Sequence, residues 1–111
     1  MTVFKHFHPP YNSSSKQPDF YILPAGLDLP TIVIEAGWSE THPRLQRDKT
    51  LWLKGGAGDV KLVLLLKWYK RINNRVAGTV KIWELDATRT ENLLQSDVLL
   101  ICLKYYEKLN I

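Results

Sequence analysis

Thr31-Ile32-Val33-Ile34-Glu35-Ala36-Gly37-Trp38-Ser39-Glu40-Thr41 is the stretch that decides the fold. Its first half is a short β-branched apolar run that follows Pro30 and stops at Gly37, which is strand chemistry. Ile32 and Ile34 fall on one face of that strand, and Thr31, Val33 and Glu35 on the other. Its second half begins a helix. Ser39 or Thr41 can cap it, Glu40 suits the positive end of its dipole, and Pro43 is tolerated in the first turn. Gly55-Gly56 supplies the stop, so the helix is predicted to continue through Leu53. Two charges stand out against this pattern. Glu35 ends an apolar strand, and Lys49 shares a helical face with Leu45, Trp52 and Leu53, where the core stripe should be.

Reading outward toward the N-terminus, Phe20 to Leu23 is a short aromatic and β-branched strand that Pro18-Asp19 leads into and Pro24-Ala25-Gly26 ends. Two acids, Asp19 and Glu35, therefore stand at the ends of neighbouring strands, an arrangement that suggests a metal site. Toward the C-terminus, Val60 to Trp68 is nearly continuous apolar sequence of strand length, as expected for a central strand covered on both sides. Val76 to Leu85 alternates as its antiparallel partner, joined through Tyr69-Lys70-Arg71-Ile72 and a turn at Asn73-Asn74. Ser96-Asp97 is expected to cap a last helix with Val98, Leu99, Cys102, Tyr105, Tyr106 and Leu109 inward; a strand over Val98 to Leu103 is the alternative reading. Residues 1–15, with His6, His8, Pro9, Pro10 and three serines, read as a loose irregular arm, and residues 16–111 as a single domain. The fold class is α/β, a small mixed β-sheet flanked by helices.

With 111 residues, 45% hydrophobic and 23% charged, the chain has the size and balance of one soluble globular domain. Cys102 is the only cysteine, so no intramolecular disulfide can form, which fits an intracellular compartment, nucleus or cytoplasm. Apolar runs such as Leu62 to Leu66 are far too short to span a bilayer, so no membrane role is expected. The net charge is +4 and the pI about 9.3. Much of the excess lies in Lys67, Lys70, Arg71 and Arg75, around Trp68 and Tyr69, and such a cluster suits a phosphate backbone as partner; a solvated basic hairpin end is the bland alternative.

The order of strand-acid, strand-acid, capped helix, apolar strand and hairpin partner resembles the PD-(D/E)XK, restriction-endonuclease-like superfamily. Its Uma-type branch and related fungal proteins are the more similar. The residues that carry the resemblance are Ser15-Lys16-Gln17-Pro18-Asp19, Glu35-Ala36-Gly37-Trp38-Ser39-Glu40, and the Leu45-x-x-Asp48-x-x-x-Trp52-Leu53 helix followed by Val60-Lys61-Leu62-Val63. The match covers roughly residues 15 to 85. The chain departs from the pattern twice. Gly37 stands where the motif has its lysine, and only irregular sequence precedes Pro18, where members usually carry a helix and a pair of strands, so the domain reads as N-terminally short.

The resemblance implies a nuclease that hydrolyses phosphodiester bonds with Mg²⁺ or Mn²⁺, on a restriction-endonuclease-like core. Asp19, Glu35 and the Ala36 carbonyl would hold the metal. Lys49, taken as the motif lysine moved onto the helix, would orient the attacking water, with Lys67 as the other candidate for that role. Ser39 and Asp48 would support them, and Lys67, Lys70, Arg71 and Arg75 would hold the nucleic acid. A homodimer is compatible with this reading. A hard cation suits such chemistry because it offsets phosphate charge and lowers the pKa of a bound water. Each residue also has an ordinary role open to it: Asp19 as a turn acid, Glu35 as a strand-end acid, Lys49 as a snorkelling side chain. The alternative function is a non-catalytic nucleic-acid or protein interaction module that keeps the nuclease fold.

Overall fold

In the computed structural model, which describes residues 2–72 and 75–102, the Thr31–Thr41 stretch is a strand running into a helix, but the strand does not stop at Gly37: Gly37 and Trp38 pair with Lys67 and Trp68, which leaves Glu35 in mid-strand. Strand β1 (Phe20–Ile22) pairs antiparallel with β2 (Ile32–Trp38). A 3₁₀ turn at Ser39–Thr41 leads into helix α1 (His42–Thr50), which a wider π turn at Leu51–Gly55 extends to the glycine stop. Thr41 sits at the cap position but does not cap. Its hydroxyl donates instead to the Trp38 carbonyl, 2.6 Å away, and so ties the strand exit to the helix entry.

Strands β3 (Leu62–Arg71), β4 (Arg75–Leu85) and β5 (Glu91–Cys102) complete a five-stranded mixed sheet in the order β1-β2-β3-β4-β5. Only β2 and β3 are parallel, joined by the crossover through α1, and the other pairs are antiparallel. β3 is central, as its apolar run requires. Both hairpin strands run further than expected, because Tyr69, Lys70 and Arg71 pair with Ala77, Val76 and Arg75 instead of forming a connection. The turn expected at Asn73-Asn74 lies outside the described residues.

Two expectations are corrected here. The helix expected from Val98 is strand as far as it is described. Residues 91–102 form β5, paired residue by residue with β4 apart from one irregularity near Ile82 and Trp83, and the rest of the expected helix lies outside the described residues. The ladder offered by β4 outweighs a helical pattern that Val98 and Ile101, both β-branched, only weakly support. The sheet is consequently flanked by a single α-helix among the described residues. The arm, in turn, is irregular but not loose. Phe4 and Phe7 are buried, their rings edge-on to Trp52 at 5.9 and 5.3 Å, and Phe4 exchanges backbone hydrogen bonds with Lys16. Two large apolar side chains in a polar segment gain too much by burial to stay in water.

Val33, Glu35, Val63 and Leu65 point from β2 and β3 toward the helix, where Leu45, Lys49, Trp52 and Leu53 meet them as the helical spacing predicts. Among the described residues no helix is long and apolar enough to cross a membrane.

Candidate functional site

The β1–β2 register pairs Phe20 with Ile34, so one step further Asp19 stands across from Glu35. Cross-strand neighbours have their Cβ atoms roughly 5 Å apart. Asp19 closes the ladder with its side chain: its Oδ2 accepts from the Ala36 N–H at 2.8 Å. Asp19 and Glu35 are therefore neighbours at one edge of the sheet.

Glu35 is almost wholly enclosed, 1% exposed. Its Oε2 accepts from the indole N–H of the fully buried Trp52 at 2.8 Å. Burial dominates its titration and pushes the carboxyl up to about 7; the Trp52 bond and the charge of Lys16 pull the other way, while Asp19 and Asp48 add to the rise. The ammonium of Lys16 lies 3.8 Å from Glu35 Oε2 and 3.0 Å from Asp48 Oδ2. Arg44 reaches the same Asp48 oxygen at 3.2 Å and the Ala36 carbonyl at 3.4 Å. Three carboxylates, two cations and a main-chain carbonyl thus share one edge.

Gly37, at the motif-lysine position, has a steric reason to be glycine. A Cβ there would collide with the Thr41 hydroxyl and press on the Arg44 guanidinium. The space in which a lysine stem would start is already taken by groups from the following helix.

Lys49 is turned elsewhere. It is buried, but its ammonium lies 2.9 Å from Glu91 Oε2 on β5 and 3.8 Å from the centre of the Trp83 ring, and Thr50 donates to the other Glu91 oxygen at 2.6 Å. The expectation that Lys49 would point at the Asp19–Glu35 edge is not met, because β5 supplies a carboxylate and β4 an aromatic face on the opposite side of the helix stripe. The cation that faces the acids is Lys16. Its position depends on the Phe4–Lys16 bridge, and the signal that the arm is anchored was the pair of phenylalanines in it.

Asp48 is more than a supporting acid, since it holds both Lys16 and Arg44. Ser39 is exposed and, with Trp38, Glu40, Tyr69 and Lys70, lines an open cavity of about 320 Å³ at the carboxyl ends of β2 and β3. The basic cluster is divided by the period of the strand. Lys67, Arg71 and Arg75 share the face that Glu35 occupies, whereas Lys70 lies on the other face, over the Trp38 ring at 5.9 Å.

As ligands for a cation, Asp19, Glu35, Asp48 and the Ala36 carbonyl are all hard oxygens, the donors that Mg²⁺ and Mn²⁺ prefer. Among the described residues no three His, Cys, Asp or Glu side chains form a ready cation cage. Two carboxylates and a carbonyl nonetheless suit Mg²⁺, which keeps several waters and takes further oxygens from a substrate phosphate. The donor set fits that ion.

Comparison with family models, with curated proteins and with solved structures gave no match.

Proposed function

We propose that this chain is a nuclease-like domain with a restriction-endonuclease-like core that hydrolyses nucleic-acid phosphodiester bonds with Mg²⁺ or Mn²⁺. The observation that carries the reading is the opposition of Asp19 and a buried Glu35 across β1–β2, with the Lys16 ammonium beside them. The setting supports it, since Glu35 lies in the middle of β2, on the parallel β2–β3 pair, and the segment ahead of β1 brings Asp19 and Lys16 to it.

In this mechanism Asp19, Glu35 and the Ala36 carbonyl would hold the cation, and Asp48 holds Lys16 and Arg44 in place. When bound, the cation supplies a water of lowered pKa and offsets charge on the phosphate. Lys16 takes the role first assigned to Lys49: its ammonium, already between Glu35 and Asp48, orients the attacking water and stabilises charge developing on the phosphoryl oxygens. Arg44, 3.2 Å from the Asp48 carboxylate, adds to that field. Arg71, Arg75 and Lys70 attract the nucleic-acid backbone, a contribution that weakens with salt.

One observation favours a second reading, a non-catalytic interaction module. Every acid at this edge has a partner within the chain: Asp19 the Ala36 amide, Glu35 the Trp52 indole, Asp48 two cations. The two readings separate in one experiment. Purified full chain is incubated with labelled single- and double-stranded DNA and RNA at low salt with Mg²⁺ or Mn²⁺, beside the Glu35→Gln variant. Cleavage by the wild type that the variant loses, with binding kept, is the expected result. Binding without cleavage assigns the module reading, and neither binding nor cleavage removes both nucleic-acid readings and leaves protein as the partner.

A further inference from the structure

We propose that His42, Lys67 and Lys81 form a phosphate-binding site beside the acid edge. Lys67 stands across from Gly37 on β2 and from Thr79 on β4, and Lys81 stands across from Leu65 on β3 and Ser96 on β5. This places both lysines on the face of the sheet that carries Glu35, diagonal to one another on adjacent strands, with the hydroxyl residues Thr79 and Ser96 flanking them on the same face. His42, the first residue of α1, closes the group from above: its Nδ1 lies 3.4 Å from the Lys67 Nζ, so the imidazole accepts from the ammonium in its neutral form.

Among the described residues no carboxylate pairs with these groups. Lys67 and Lys81 are half-buried, and among the described residues neither makes an ion pair. The groups that face His42 are Lys67 from β3, Lys81 from β4 and Lys49 from its own helix; partial burial first and then these three cations hold its pKa below the usual imidazole range, with no carboxylate opposing them. Lys49 is already neutralised by Glu91, so two ammoniums and an imidazole ready to become a third cation are left for an anion. Phosphate fits this group best, because it carries up to two charges and enough acceptors for two ammoniums, an imidazolium and a hydroxyl together.

Gly37 lies two residues from Glu35 on β2 and directly across from Lys67, so the site is within one nucleotide's reach of the acids. In the part that concerns nucleic acid the proposal rests on the nuclease reading: the phosphate held here neighbours the one at Asp19 and Glu35. The phosphate chemistry stands without it.

The test is an imidazole NMR titration of the labelled full chain at fixed ionic strength, in chloride, in inorganic phosphate, and with a short single-stranded oligonucleotide, the His42 signal being assigned with His42→Gln. Bound phosphate is expected to raise the apparent pKa of His42 by about one, since a nearby anion favours the imidazolium. Lys67→Gln and Lys81→Gln are each expected to weaken phosphate binding roughly fivefold or more, with the rest of the spectrum intact, whereas Lys61→Gln, at an exposed position outside the site, leaves it unchanged. A response to both phosphate and oligonucleotide assigns the site to the nucleic-acid backbone. A response to inorganic phosphate alone upholds the site and assigns it to a small phosphorylated compound. If chloride acts as strongly as phosphate, or if the lysine variants bind phosphate as well as the wild type, the proposal is overturned. A wild type that cleaves nothing defeats the nuclease reading but leaves the His42 response to decide this one.

Discussion

A buried indole N–H needs an acceptor and a buried carboxylate needs a donor, and Trp52 and Glu35 meet both needs with one 2.8 Å bond. The bond does not remove the cost of the charge, so the native state holds the Glu35 proton up to about pH 7 although the ordinary value is 4.5. The sign follows from linkage. The native pKa is above the unfolded one, so between these values the folded chain binds more protons, and stability falls as pH rises from about 4.5 to about 7 in the absence of metal. The fall is on the order of 3 kcal/mol. Glu35→Gln keeps an acceptor for Trp52 and should flatten this part of the stability curve, as read by urea denaturation at pH 5 and pH 8 in chelator; an unchanged slope would show that Glu35 is not its source. Two other replacements should raise the Glu35 pKa further, Trp52→Phe by removing a donor and Lys16→Met by removing a cation. Carboxyl NMR of Glu35 checks both. Under the nuclease reading Lys16→Met should also lower cleavage on the order of 10²-fold, the usual effect of losing one preorganised charge, while Lys49→Met should leave cleavage near wild type.

At the scale of the element, legibility tracked period and composition. The β2–α1 segment was readable because its strand alternation and helical spacing are clear and the helix stops at Gly55-Gly56, and the Leu45-Lys49-Trp52-Leu53 face is buried as predicted; the strand's own end was not, since β2 runs through Gly37 to Trp38. The β3–β4 hairpin was readable for the same reason. The last strand was not, because Val98 to Cys102 satisfies helical and strand patterns alike and only the presence of β4 decides between them. The acids Asp19 and Glu35 could be read as neighbours, but the partner of Lys49 could not, since Glu91 lies far along the chain at the start of a strand that carries no clear pattern of its own. Lys16 was missed because the arm that positions it looked like solvent-exposed tail. That arm is predicted to carry much of the stability: Phe7→Ala, which empties a buried ring site against Trp52, should cost roughly 3–5 kcal/mol in denaturant, and a cost under about 1 kcal/mol would mean that the arm is not docked. Gly37→Ala should cost about 1–3 kcal/mol by forcing Thr41 and Arg44 aside, measured in the same way.

Across the whole molecule, charge is sorted along the sheet. The acids, Lys16 and Arg44 gather around the middle of β2, the His42–Lys67–Lys81 group lies beside them on β3 and β4, and Arg71 and Arg75 extend the positive charge to the hairpin tip. Under the proposed nuclease reading an acidic edge would hold a cation while a basic surface next to it would draw in a polyanion, so that binding and hydrolysis would depend on different residues. Nucleic-acid affinity should accordingly fall with salt by a logarithmic slope of about −0.7 to −0.9 per phosphate contacted, and replacing Arg71 and Arg75 together by glutamine should make that slope shallower while leaving the acids' cation affinity unchanged. The claim on which all of this depends is that Asp19 and Glu35 together hold one divalent cation. Mn²⁺ binding followed by electron paramagnetic resonance at pH 8, where Glu35 is ionised, tests it most directly, and the account predicts one tightly bound Mn²⁺ per chain that weakens as pH falls below about 7 and is lost in both Asp19→Asn and Glu35→Gln. No bound Mn²⁺ in the wild type, or binding by either variant as tight as that of the wild type, would contradict it.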